Sequence, residues 1–118
     1  MDDRPLIYIA GPYTKGDPVQ NTRRACLLAD RLNESGRFFA YVPHVTMLQH
    51  FLTPQDHAFW VDYGCALVQR CDAVLRMDGI SPGADRETAH AEGRGIPVFS
   101  SVSELEAWFD RLIRGEAG

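Results

Sequence analysis

The chain has 118 residues, of which 45% are hydrophobic, and its formal net charge at pH 7 is -4. This length fits one core and leaves no room for a second, so the sequence predicts a single domain over residues 1–118. The lysines and arginines are dispersed and lack the one-sided basic surface that binds a phosphate backbone, which argues against a nucleic acid polymer as a partner. No apolar stretch reaches the roughly 20 residues that span a bilayer and the first residues lack a signal-peptide pattern, so we expect a cytoplasmic protein with no membrane partner.

The first part of the chain predicts two strands with a helix between them. Leu6–Ala10 is a short apolar run ended by a Gly-Pro pair, which is typical of a buried strand that leads into a turn. Asp17 followed by proline predicts a helix start, and apolar residues recur at helical spacing until Gly36. Phe38–Val42 is aromatic and β-branched enough for a second strand, which Pro43 stops.

The second part of the chain continues the alternation of helices and strands. Thr53 is the predicted N-cap of a helix that continues to about Arg70. The remaining predicted elements are a strand over Asp72–Met77, a loop over Asp78–Gly83, a short helix through Glu92, a strand over Ile96–Phe99, and a final helix capped by Ser101 or Ser103.

This alternation predicts an α/β fold, a Rossmann-like or flavodoxin-like three-layer sandwich with a parallel sheet of about four strands in the order 2-1-3-4. In such sheets ligands bind beyond the carboxyl ends of the strands, where the strand order reverses. We therefore expect the site between the first and third strands, flanked by the loops Gly11–Gly16 and Asp78–Gly83.

The start of the helix after the third strand carries the strongest chemical signal. Ser81 and Gly83 precede a helix whose free N–H groups and dipole favour an anion such as phosphate. Glu87 follows in the first turn, where a poorly hydrated carboxylate can act as a nucleophile. The alternative interpretation is an ordinary helix start with an exposed acid. Tyr8, near the end of the first strand, favours the functional interpretation because a phenol can orient a carboxylate by hydrogen bonding.

These residues resemble the nucleoside 2-deoxyribosyltransferase-like superfamily, which includes deoxynucleoside 5'-monophosphate N-glycosidases and related small bacterial and phage proteins. The resemblance spans roughly residues 6 to 99. Its motifs, in chain order, are Ile7-Tyr8-Ile9-Ala10-Gly11-Pro12, Pro43-His44, Cys71-Asp72-Ala73, Ser81-x-Gly83-x-x-x-Glu87 and Gly95-Ile96-Pro97-Val98.

The resemblance implies that Glu87 attacks C1' of the sugar and displaces the base, while Tyr8 holds the carboxylate. It also implies hydrolysis of a (deoxy)nucleoside 5'-monophosphate rather than base exchange on a nucleoside, because similar transferases carry an aspartate at the position of Ser81, which would repel phosphate. The expected substrate-binding residues are Gly11, Tyr13, His44, Ser81 and Gly83. Base exchange remains an alternative, as does, more distantly, phosphoribohydrolase chemistry.

One position departs from the resemblance. Members of the superfamily carry an acid eight residues before the Asp72 position, where it assists departure of the base, and this chain has Gly64 there. The candidate substitutes are Asp56, Asp62 and Asp78. If none reaches the base, the chain is a nucleotide-binding sensor or a partner-recruiting module.

Two further residues are candidates for contact with the substrate. Lys15 is a candidate cation for phosphate, and Asn21 either borders the pocket or is an ordinary helix residue. His50, His57 and His90 lack metal-ligand spacing, and no phosphate-loop or dinucleotide motif occurs, so we expect neither a metal nor a cofactor. The resemblance also implies a homodimer or larger homo-oligomer, with the predicted helix from Pro54 to Arg70 as the expected interface through Phe59, Trp60, Tyr63 and Leu67.

Overall fold

The computed structural model describes residues 3–115, apart from the side chain of Met47. In chain order its elements are β1 (Leu6–Ala10), α1 (Pro18–Glu34), β2 (Phe39–Tyr41), a 3-10 turn (Pro43–Val45), α2 (Thr46–Leu52), α3 (His57–Val68), β3 (Ala73–Arg76), α4 (Pro82–Gly93), β4 (Val98–Phe99) and α5 (Val102–Ile113). Within this part of the chain, no helix has the length and apolar character needed to cross a membrane.

The four strands form one parallel sheet in the order β2-β1-β3-β4, which confirms the predicted α/β fold and strand order. Tyr8 on β1 lies opposite Tyr41 of β2 and Val74 of β3. Parallel pairing brings the carboxyl ends of β1 and β3 side by side, so the chain segments that follow both strands meet at one edge.

The two faces of the sheet are covered by different helices. Alternate residues of β1 point to opposite faces, as the period of a strand requires. Ile7 and Ile9 pack with residues of α1 and α5 in one buried cluster, which we call the apolar face. Tyr8 and Ala10 pack with residues of α3 and α4 in a second cluster, which we call the site face. The core therefore lies in two layers, one on each side of the sheet.

The segment between β2 and β3 differs from its predicted form. The helix that Thr53 was expected to cap begins only at His57, and Asp56 is its N-cap, with its side chain accepting the N–H of Phe59 at 2.9 Å. The prediction was wrong because Asp56 is itself a strong capping residue one position before the helix. The short helix α2 was not predicted at all. Its apolar residues Leu48, Phe51 and Leu52 have helical spacing, but seven residues are too few for periodicity to identify a helix.

The remaining differences concern the ends of elements. The second, third and fourth strands are shorter than predicted by one or more residues at their ends. The helix α4 begins at Pro82, so Gly83 lies in its first turn rather than in the preceding loop, and Glu87 lies in the second turn rather than in the predicted first turn. Proline fits the first helical position because its fixed φ suits the helix and it has no N–H to leave unpaired.

Candidate active site

Glu87 and Tyr8 form the centre of the site on the site face of the sheet. Tyr8 is fully buried on β1, and its hydroxyl donates to Oε2 of Glu87 on α4 at 2.5 Å. The two residues are 79 positions apart, so the sheet and α4 together create this contact. Tyr8 lies behind the carboxylate and does not line the adjoining cavity. Its role is thus to position Glu87.

The two carboxylate oxygens of Glu87 have different surroundings. Oε2 is held by Tyr8, whereas Oε1 accepts no hydrogen bond from any residue in the described range 3–115. Burial raises the pKa of Glu87, and the Tyr8 hydrogen bond and the charge of Arg76 oppose this rise. Burial also raises the pKa of the Tyr8 phenol, so Tyr8 stays protonated and remains a donor. One oxygen is fixed and the other is open to a ligand.

Gly64 on α3 packs directly against this pair. A Cβ placed at residue 64 would overlap Oε2 of Glu87 and would lie 3.3 Å from the Tyr8 hydroxyl. Glycine in the middle of a helix costs about 1 kcal/mol relative to alanine, so a packing reason is needed to explain it here. The close approach of α3 to the carboxylate supplies that reason. It also leaves no room for an acidic side chain at this position while Glu87 keeps its present conformation.

A cavity of about 650 Å³ opens beside Glu87 at the carboxyl ends of β1 and β3. All five residues predicted to bind substrate line it, together with the predicted nucleophile: Gly11, Tyr13, His44, Ser81, Gly83 and Glu87. Lys15 lines it as well. Its volume lies within the range of roughly 300–1,000 Å³ of pockets that bury a small ligand. The fold thus brings the predicted site residues to one cavity.

The start of α4 presents an unpaired N–H group to this cavity. The Ser81 hydroxyl caps the helix by accepting the N–H of Ala84 at 3.1 Å, and it lies 3.5 Å from the carbonyl of Gly11. Pro82 has no N–H, and within residues 3–115 no acceptor meets the N–H of Gly83. A Cβ at Gly83 would have nothing within 4 Å, so the space in front of it is open. The helix start therefore leaves room for an anion beside Gly83, and the Ser81 cap holds the first turn in place.

His44 is a buried polar group in the wall of the cavity. Its side chain is 5% exposed, and Nε2 lies 2.9 Å from the carbonyl oxygen of Pro12. Because a carbonyl only accepts, Nε2 carries the proton and Nδ1 of the neutral ring is an acceptor. Nδ1 is buried and has no partner within the described residues. Burial lowers the pKa of His44 against the opposing Pro12 contact, which keeps the ring neutral. His44 therefore keeps one buried acceptor without a partner among the described residues.

The loop Gly11–Gly16 is held in place from α1. The Asn21 side-chain amide donates to the carbonyls of Tyr13 and Lys15, at 2.9 and 2.8 Å. Asn21 is buried and does not line the cavity. Its two contacts instead fix the loop that carries Tyr13 and Lys15 to the cavity wall.

None of the proposed substitute acids reaches the cavity. Asp56 caps α3, and Asp62 and Asp78 are exposed elsewhere. Within the described residues, Glu87 is the only carboxylate that lines the cavity. The described residues therefore place no second carboxylate where it could assist departure of the base.

Several cavity residues were not predicted from the sequence. They lie on α2, on the loop after it, on α3 and on the second turn of α4: Thr46, His50, Gln55, His57, Trp60, Val61 and Arg86. Trp60 was expected to pack in the core or at an interface, and α2 was not expected at all. His50 and His57 belong to no group of three or more potential metal ligands in the described part of the chain.

The expected oligomer interface on α3 stays a prediction. Phe59 and Tyr63 are exposed, whereas Leu67 is partly buried against the cluster on the site face. Trp60 faces the cavity instead.

The comparison with known proteins identifies a family. No curated protein shows significant similarity to the chain. Residues 5–101, which include β1, α4 and every residue that lines the cavity, match the family described as "Domain of unknown function (DUF7768)". The chain belongs to the DUF7768 family.

Proposed function

We propose that this protein hydrolyses the N-glycosidic bond of a (deoxy)nucleoside 5'-monophosphate, with Glu87 as the nucleophile. The observation that carries the proposal is the asymmetry of the Glu87 carboxylate, with Oε2 held by the buried Tyr8 and Oε1 free at a cavity of about 650 Å³. A carboxylate that is oriented and poorly hydrated is suited to attack an electrophilic carbon.

The proposed reaction has two steps. Oε1 of Glu87 bonds to C1' while the bond from C1' to the base nitrogen breaks, and the electron pair of that bond goes to the base. Water then attacks C1', which releases the sugar phosphate and restores the carboxylate. This is the sequence of retaining glycoside cleavage, in which a carboxylate carries the sugar between two displacements.

The surroundings of the cavity support a phosphorylated substrate. The N–H of Gly83 at the start of α4 has no acceptor within the described residues, and Gly83 lines the cavity. Lys15 and Arg86 line the same cavity and add positive charge. Helix N-termini and such cations favour a phosphate group. His44 lines the same cavity, where its neutral ring can pack against the sugar.

We also propose that DUF7768 is related to the nucleoside 2-deoxyribosyltransferase-like superfamily. The support is the order of the motifs around Tyr8, His44, Ser81 and Glu87. All four residues lie at one end of β1 and α4, with three of them in the cavity wall and Tyr8 behind Glu87.

A second candidate function is a non-catalytic nucleotide sensor. The observation that favours it is the absence of any carboxylate besides Glu87 from the cavity wall within the described residues. In that case the Tyr8–Glu87 pair positions a bound nucleotide and no base is released.

The test is base release from a panel of nucleoside 5'-monophosphates and the matching nucleosides, followed by chromatography. Wild type should release base from one or more monophosphates and much less from the nucleosides, and Glu87→Gln should release none. Arg24→Gln is a matched control, since Arg24 is exposed on α1 and outside the cavity. Addition of a second base distinguishes transfer from hydrolysis, because transfer yields a new nucleotide. Saturable binding without base release would favour the sensor.

A further inference from the structure

His50 on α2 is held by two hydrogen bonds at the same ring nitrogen. The indole Nε1 of Trp60 lies 2.8 Å from Nδ1 of His50, and the backbone nitrogen of Gln55 lies 3.3 Å from it. The rings of His50 and Trp60 meet edge to face, with centroids 5.8 Å apart. The contact joins α2, the following loop and α3 at the wall of the cavity.

These two contacts determine which nitrogen of His50 carries the proton. An indole N–H and a backbone N–H can only donate, so Nδ1 must be the acceptor and must carry no hydrogen. The neutral ring then carries its proton on Nε2.

The Nε2–H group of His50 has no partner among the described residues. Within residues 3–115 no acceptor meets it, and His50 lines the same cavity as Glu87. Nδ1 is engaged with α3 and the loop, so Nε2 lies on the opposite edge of the ring. The cavity wall thus contains a donor of fixed tautomer that no protein group uses.

We infer that His50 donates this hydrogen bond to an acceptor atom of the base, a ring nitrogen or an exocyclic oxygen, and that Trp60 is a positioning residue that fixes the tautomer of His50. The inference rests on the proposed function. The hydrogen bond contacts the base while the sugar and phosphate are held by Glu87, His44 and the start of α4.

The same hydrogen bond bears on how the base departs without a second carboxylate. When the bond to C1' breaks, its electron pair moves onto the base, and a donor hydrogen bond stabilises the negative charge that develops there. Neutral His50 keeps its own proton, since losing it would leave an imidazolate. The departing base takes its proton from water.

The test compares nucleotide binding by three variants. The probes are the nucleoside 5'-monophosphate that wild type binds most tightly and ribose 5-phosphate, which lacks the base. His50→Phe keeps a ring but removes the donor, and His50→Gln keeps a side-chain N–H. His90→Phe is the matched control, because His90 bonds Gln69 and does not line the cavity.

We expect His50→Phe to weaken nucleotide binding about tenfold, the effect of one neutral hydrogen bond, and His50→Gln to recover part of the loss. Competition by ribose 5-phosphate should be the same in wild type and all three variants. Equal nucleotide affinity in wild type and His50→Phe would overturn the role of His50 and leave the proposed function standing. No binding of any nucleotide by wild type would overturn both.

A second measurement reads the tautomer without any ligand. In ¹⁵N-labelled wild type at neutral pH, the ring nitrogens of His50, assigned by comparison with His50→Gln, should show a bare Nδ1 and a protonated Nε2. In Trp60→Phe, which keeps an aromatic ring but removes the indole N–H, the second tautomer should become populated. A protonated Nδ1 in wild type would contradict the inference whatever the protein binds.

Discussion

The two faces of the sheet are built from different kinds of residue. The apolar face packs the large side chains Ile7, Ile9, Leu32, Phe38 and Leu105 together. Both faces contain buried alanines, but among the described residues the buried cluster of the site face has no side chain larger than valine apart from Tyr8, whose hydroxyl it contains. Gly64 also packs on this side, directly against Glu87 and Tyr8. Small residues let the α3 and α4 backbones approach the sheet closely, and this approach encloses the Glu87 carboxylate.

This difference indicates that the apolar face mainly stabilises the fold, whereas the site face mainly supports activity. Large apolar side chains stabilise the fold through burial, at roughly 1.5–3 kcal/mol for each fully buried side chain. The site face buries a carboxylate, which destabilises the ionised form, and surrounds it with a donor and a glycine. Substitutions on the apolar face should therefore change stability, and those on the site face should change activity.

Glu87→Gln should produce the largest effect on activity. Glutamine fits the same space and its carbonyl can accept the Tyr8 hydrogen bond, but it is not a nucleophile. We expect base release to fall by at least about a thousandfold, as when other enzymes lose their nucleophile. The measurement is kcat/KM for the best monophosphate in wild type and in Glu87→Gln. Residual activity near the wild-type level would remove Glu87 from the mechanism.

The same variant should be more stable than wild type at neutral pH. Burial raises the pKa of Glu87 above its ordinary value of 4.5, so the folded protein binds this proton more tightly than the unfolded chain does. The stability this group contributes is present below that ordinary value and is lost as the pH rises through the raised pKa. Thermal melts should show a higher Tm for Glu87→Gln at pH 7, and a smaller gain below pH 4.5. An equal gain at both pH values would contradict the raised pKa.

Leu105→Ala should lower the stability of the fold and leave activity unchanged. Leu105 on α5 is fully buried in the apolar face, and leucine-to-alanine changes in cores cost about 2–5 kcal/mol. Denaturant unfolding should show this loss, while the activity per folded molecule should stay at the wild-type level. Leu112→Ala is the matched control, because Leu112 lies on the same helix and is 47% exposed. A large loss of activity in folded Leu105→Ala would contradict the division between the faces.

Gly64→Ala should affect both stability and activity. The added Cβ overlaps Oε2 of Glu87, so either the carboxylate or α3 must move. Overpacking of this kind costs about 1–3 kcal/mol, and displacement of the nucleophile should also lower kcat. Gly93→Ala is the control, because Gly93 lies at the end of α4 outside the cavity, its Cβ would meet nothing within 4 Å, and alanine suits a helix better by about 0.5–1 kcal/mol. Equal stability of the two variants would show that α3 does not press against Glu87.

Tyr8→Phe should change the pH dependence of the reaction. The Tyr8 hydroxyl lowers the pKa of Glu87 against the effect of burial, so removing it raises that pKa further. Because the attacking carboxylate must be ionised, the acid limb of the kcat/KM profile should move to higher pH. At acidic pH the loss should be about 10–100-fold, the range for a hydrogen bond to a charged group, and it should shrink as the pH rises. Tyr41→Phe is the control, because Tyr41 packs beside Tyr8 and makes no hydrogen bond to Glu87. An unchanged acid limb in Tyr8→Phe would contradict the effect of the Tyr8 hydroxyl on the pKa of Glu87.

The sequence predicted most of the architecture because each strand and long helix has a strong local signal. The apolar run Leu6–Ala10 and the Asp17-Pro18 helix start are examples, and the Ser81 cap with Pro82 at the first helical position of α4 is another. The strand order followed from crossover handedness rather than from any single residue. The predicted binding residues lie at one cavity because all of them follow strands at the same edge.

The other wall of the cavity could not be predicted. Its residues His50 and Trp60 lie on α2 and α3, and α2 has only seven residues, too few for a periodic signal to identify a helix. The contact between His50 and Trp60 depends on how two helices and a loop fold together. The role of Gly64 was equally hidden, because a glycine in a helix does not reveal which side chain approaches it.

The most direct test of the Glu87 mechanism is the configuration of the product formed in a mixture of methanol and water. Two displacements through a covalent Glu87 intermediate predict release of base from a nucleoside 5'-monophosphate together with the β-methyl glycoside of the sugar 5-phosphate, detected by proton NMR. The α-methyl glycoside as the first product would show a single displacement by solvent. That result, or no release of base from any monophosphate, would contradict the mechanism.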